Sequence, residues 1–157
     1  MTNEVDLSVH EVLRARIRSP SVVEESGSVM EGGSGHVLVV MEDLFLRKLV
    51  RRQLEDAGYG VAEALSVDRA LQRVRTEPPD IVLLDTWVDR GTGMRLLETL
   101  RADAAQEGLP VLLVGTDTRA DVRRRSAELG GLGPLPISHA GSVDLWVEEV
   151  LEREGRA

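Results

Sequence analysis

Pro79-Asp80-Ile81-Val82-Leu83-Leu84-Asp85 is the stretch that decides the fold. Its four apolar residues are too few for a helix and are apolar at every position rather than at alternate ones. A strand of that kind must be covered on both faces, which is the situation of a parallel sheet sandwiched between helices. The run then stops on an acidic residue. In an open parallel sheet the carboxyl ends of the strands are where ligands bind, so Asp85 stands where function is to be sought.

Working outward, the same text recurs. Val37-Leu38-Val39-Val40, Gly60-Val61-Ala62-Glu63-Ala64, Val111-Leu112-Leu113-Val114 and the weaker Leu132 to Ile137 read as strands, separated by segments of helical period. The first helix carries Leu46, Leu49, Val50 and Leu54 on one face and stops at Ala57-Gly58, where glycine suits the left-handed cap. The second opens at Ser66 and buries Ala70, Leu71 and Val74. The third runs from about Met94 through Leu97 and Leu100, and the fourth from about Thr118 to Leu129. The fifth starts near Ser142 with Val143, Trp146, Val147 and Val150 inward, Trp146 read as core or interface packing rather than a ligand site. Strands alternating with helices predict an α/β fold with a doubly wound, five-stranded parallel sheet. Three strand ends then share one edge: Met41-Glu42-Asp43, Asp85-Thr86 and Gly115-Thr116.

The ordered set resembles a response-regulator receiver domain of the flavodoxin-like (βα)5 type. The resemblance rests on Val37–Val40 followed by Glu42-Asp43, Arg47 and Leu49, then on Gly58-Tyr59-Gly60-Val61. It continues through Pro79 to Asp85, Gly93, Leu97 to Arg101 and Pro110 to Val114. It implies that Asp85 is a phosphoacceptor in two-component phosphorelay signalling, served by a histidine kinase or phosphotransfer protein. It also implies a Mg2+ ion, since two anions approach closely only where a hard cation offsets their repulsion. The metal side would be Glu42, Asp43, Asp85 and the backbone carbonyl of Trp87, with Thr116 as the phosphoryl contact. Output would pass by protein contacts through the face of the fourth and fifth helices, where Arg123-Arg124-Arg125 lies, and the resemblance leaves room for a homodimer.

Carried over residue by residue, the pattern departs in five places. The acidic pair after the first strand falls on Met41 and Glu42, with Asp43 substituting if the register slips. The hydroxyl position falls on Gly115, one step before Thr116. Ile137 stands at the place of a lysine, Ser138 at that of a proline and Pro134 at that of an aromatic; Lys48, in the first helix, is the only lysine in the chain. Two readings follow. One is a stand-alone receiver phosphorylated on Asp85; the other is a phosphorylation-independent pseudo-receiver serving as a protein-binding adaptor. An enzyme is not expected. No second aspartate sits two residues after Asp85, as a phosphatase would need, and Gly32-Gly33-Ser34-Gly35 precedes the first strand, whereas a dinucleotide loop must follow it.

Bulk properties narrow the field. A net charge of -8 opposes direct nucleic-acid binding, and the absence of cysteine excludes thiolate metal sites and cysteine nucleophiles. No apolar run approaches the roughly 18 residues of a membrane span, and the first residues lack the regions of a signal peptide, so a cytoplasmic location is expected. Residues 1–35 form an extension, with a short amphipathic helix expected over 5–18 and a Ser/Gly/Glu-rich linker over 19–35, ahead of a receiver-like domain over 36–157. Both a frayed tail and a docking or dimerising segment fit that composition.

Overall fold

A computed structural model describes residues 35–115, 119–136 and 141–155. The expected helix over 5–18 and all of the linker over 19–35 but Gly35 lie outside them, and the division into extension and domain stays an expectation. The elements are β1 (His36–Val40), α1 (Leu44–Asp56), β2 (Gly60–Ala64), α2 (Val67–Thr76), β3 (Ile81–Asp85), α3 (Met94–Ala102), β4 (Val111–Gly115), α4 (Ala120–Glu128), β5 (Leu132–Pro136) and α5 (Val143–Arg153). A short irregular turn, Val88–Gly91, joins β3 to α3.

All strands pair in parallel, in the order β2-β1-β3-β4-β5. Chain alternation sorts the apolar runs onto two faces. In β1, Val37 and Val39 pack with α1 and α5, whereas Leu38 and Val40 pack with α2 and α3. This is why Val37–Val40, Ile81–Leu84 and Val111–Val114 are apolar at every position, while edge strand β2 is only half-buried.

The helix signals act locally as expected in α2, where Ser66 Oγ accepts the Arg69 N–H at 3.1 Å. At the end of α1, Gly58 takes φ +98, a conformation that favours glycine. The inward face of α1 differs from its apolar pattern. Leu49 is exposed, and Arg47 is buried in line with Val50 and Leu54. The reason is electrostatic: Arg47 Nε donates to Glu63 Oε1 at 2.8 Å, and its NH1 donates to the carbonyls of Met41 and Glu42 at 3.1 and 3.2 Å. With the guanidinium so satisfied, its aliphatic stem packs as a hydrophobe.

Arg51 closes the same network, its NH1 donating to Glu63 Oε2 at 2.6 Å and its Nε to Glu55 Oε2 at 2.9 Å. Burial alone would raise the Glu63 carboxyl, but the hydrogen bonds from Arg51 and Arg47 outweigh it and hold the group below the usual carboxylate range. The network ties α1, β2 and the end of β1 together beside the acidic edge.

Candidate functional site

The order β2-β1-β3 makes the chain leave β1 in opposite directions, so a crevice opens between the carboxyl ends of β1 and β3. Asp85 closes β3 on that crevice and is half-buried. Its Oδ1 accepts the Trp87 N–H at 2.9 Å. Burial pushes its carboxyl above the usual aspartate range, the Trp87 N–H opposes this, and the charges of Glu42 and Asp43 push it further up. Glu42 and Asp43 therefore act electrostatically on Asp85.

Both neighbouring carboxylates already serve the backbone. Asp43 Oδ1 caps α1, accepting the Leu46 N–H at 2.9 Å. Glu42 Oε2 accepts the Asp89 N–H at 2.7 Å, bridging the end of β1 to the turn after β3. Met41, at the position of the family's first acidic residue, is fully buried in the core beneath α1 and α5. Trp87 is 63% exposed, and its carbonyl accepts the Gly91 N–H at 3.0 Å. Thr116, Ile137 and Ser138 lie outside the described residues.

Asp89 has a part that sequence spacing does not disclose. Besides its bond to Glu42, its Oδ2 accepts the Val67 N–H at 2.9 Å, so one residue joins the site to the first turn of α2. It does so with φ +54, followed by Arg90 at φ +60. Left-handed backbone costs a non-glycine residue about 1–2 kcal/mol. The Asp-Arg-Gly sequence is turn chemistry, and that is the one available signal.

Among the described residues, no group of three or more acidic or histidine side chains is gathered tightly enough to hold a metal ion. The donor chemistry nevertheless suits a hard divalent cation. Asp85, Glu42 and Asp43 each commit one carboxylate oxygen to a backbone N–H among the described residues, leaving the other for a cation, and the Trp87 carbonyl retains a second lone pair.

Residues 37–136 match the family model for the response regulator receiver domain, and the chain belongs to that family. The phosphate regulon transcriptional regulatory protein PhoB of Klebsiella pneumoniae is 29% identical over 94 residues, covering 60% of this chain and 41% of PhoB. The protein of that name from Escherichia coli (strain K12) is 28% identical over the same shares. The chain thus spans well under half the length of these relatives. Among solved structures, the phosphorylated cyanobacterial phytochrome response regulator RcpA superposes with a TM-score of 0.66 at 18% identity, covering 74% of this chain and 92% of that one. The Mn2+-bound form of response regulator Rcp1 gives 0.64 at 17% identity, over 75% and 91% of the two chains. These likenesses establish the flavodoxin-like receiver fold, and the chain is a receiver domain of the two-component type.

No helix among the described residues is long and apolar enough to cross a membrane. On α4, Arg125 is engaged by Glu98 at 3.1 Å and Glu128 at 3.3 Å, while Arg124 lies exposed beside it.

Proposed function

We propose that Asp85 accepts a phosphoryl group from a phosphohistidine on a kinase or phosphotransfer partner, and that the domain passes the signal on by protein contacts in the cytoplasm. The observation that carries this reading is the place of Asp85. It ends the central strand at the topological switch point, with its carboxylate in the fields of Glu42 and Asp43. In the transfer, an Asp85 carboxylate oxygen attacks phosphorus, the P–N bond breaks, and its electron pair returns to the imidazole nitrogen. Glu42, Asp43, Asp85 and the Trp87 carbonyl would hold Mg2+. When bound, the ion offsets the repulsion between the carboxylates and the incoming phosphoryl oxygens. Response regulator Rcp1, a protein of the same fold, has a Mn2+-bound form, which supports a divalent ion here.

The chain's own residues orient the nucleophile. The Trp87 N–H fixes Oδ1, while the Glu42 to Asp89 bond holds the turn after β3 against the end of β1. Effector contacts are assigned to the α4 and α5 face, where Arg124 offers an exposed charge to an acidic partner. A second reading, a phosphorylation-independent adaptor, draws on the lysine count: Lys48, on α1, is the only one, so no lysine follows β5 to bind a phosphoryl oxygen.

Incubation with acetyl phosphate, followed by intact-mass measurement, separates the two readings. The phosphoacceptor reading predicts a gain of one phosphoryl group that requires Mg2+ and is lost on adding a chelator. No gain, either with acetyl phosphate or with a phosphorylated histidine donor, would leave the adaptor.

A further inference from the structure

β4 ends at Gly115, whose φ of +154 and whose surroundings leave no room for a side chain. A Cβ built there would collide with Thr86 Oγ1 and would lie 3.5 Å from Asp85 Oδ1. The space beside the Asp85 carboxylate that a residue of β4 would fill is therefore taken by a hydroxyl from the residue directly after β3.

Thr86 is held in that place. It is 6% exposed, its N–H donates to the Val114 carbonyl at 3.0 Å, and a β-branched side chain has few χ1 states to choose from. Among the described residues its hydroxyl makes no hydrogen bond. A phosphoryl group on Asp85 would place about 1.5 to 2 negative charges, in place of the carboxylate's one, next to Glu42 and Asp43. The single lysine lies on α1, so any further donor close to Asp85 counts toward holding the oxyanion.

We propose that the Thr86 hydroxyl donates the hydrogen bond that holds a phosphoryl oxygen on Asp85, supplying from the end of β3 what Gly115 cannot supply from β4. The inference rests on the reading of Asp85 as phosphoacceptor. The hydroxyl donates without giving up its proton. In the test reaction an Asp85 oxygen bonds to phosphorus, the P–O bond to acetate breaks, and acetate leaves with the electron pair.

The experiment compares wild type, Thr86→Val and Thr86→Ser for the rate of phosphoryl gain from acetyl phosphate with Mg2+, read by intact mass, with circular dichroism melts run alongside. Valine keeps the shape and removes the donor; serine keeps the donor and removes a methyl group. Thr86→Val is expected to slow the gain about ten- to a hundredfold, the range for a hydrogen bond to a charged group, and Thr86→Ser to stay within about threefold of wild type. A structural role would reverse that order. If the valine variant melts early, Thr86→Ala carries the comparison. Equal rates for wild type and Thr86→Val, or equal slowing by valine and serine, overturn the Thr86 assignment while leaving Asp85 in place. No gain by wild type, either with acetyl phosphate or with a phosphorylated histidine donor, overturns the reading of Asp85, and the Thr86 assignment falls with it.

Discussion

Asp85→Asn is expected to reduce phosphoryl gain from acetyl phosphate to background and, at neutral pH, to raise the melting temperature. The first effect follows from chemistry, since an amide oxygen is no nucleophile toward phosphorus under conditions where a carboxylate is. The second follows from the environment of the group. Burial, together with the charges of Glu42 and Asp43, raises the folded-state pKa of Asp85 above its unfolded value. A raised pKa means that the favourable contribution of the protonated form is fully present below the unfolded pKa, about 3.9, and is lost as pH rises through the folded pKa. At neutral pH the wild type therefore carries an ionised group that the fold disfavours, and the variant does not. The asparagine carbonyl can still accept the Trp87 N–H. Solvent screens a half-buried group, so the gain is below about 1 kcal/mol, or at most a few degrees in Tm. Melts of both proteins between pH 7 and pH 3 should show the difference shrinking as pH falls.

Trp146→Ala is expected to cost about 3–5 kcal/mol, the range for removing a buried aromatic side chain, and to lower the melting temperature by roughly 10–20 °C. Trp146 is 1% exposed and sits in α5 among Val143, Val147 and Val150. The face it fills also holds Val37, Ile81 and Leu83 from the sheet, so its loss opens a cavity between a helix and three core positions. Aromatic residues are only 3% of the chain, and no aliphatic neighbour can collapse to fill an indole-sized gap. Urea unfolding of the two proteins measures the cost directly, and a change under about 1 kcal/mol would mean that α5 is not packed as described.

The fold is legible because its signal is local. Apolar runs in β1, β3 and β4 fix the strands, Ser66 and Gly58 mark helix ends, and all of these act within a few residues. The family resemblance carried by Asp85 and its flanking strand is confirmed by the match over residues 37–136. The rest depends on partners far apart in the chain. The apolar pattern of α1 places Leu49 inward and takes no account of Arg47, because Glu63, which satisfies the buried guanidinium, lies 16 residues along the chain. Asp43 and Glu42 read as metal-side carboxylates, whereas the bonds the structure gives them, to the N–H groups of Leu46 and Asp89, serve the backbone. Asp89 joins Glu42 to Val67 through separations of 47 and 22 residues, beyond any local pattern. Family order points to β4 for the hydroxyl at the edge, where Gly115 lacks one, whereas the Thr86 hydroxyl, directly after β3, comes to that spot.

The most direct test is to locate the phosphoryl group. Wild-type protein treated with acetyl phosphate and Mg2+ is reduced with borohydride, which converts an aspartyl phosphate to homoserine, and is then digested and sequenced by tandem mass spectrometry. A phosphoacceptor at the end of β3 predicts homoserine at position 85. Homoserine at Asp43 or Asp89 with Asp85 intact, or at no position in a protein that has gained a phosphoryl group, would contradict it.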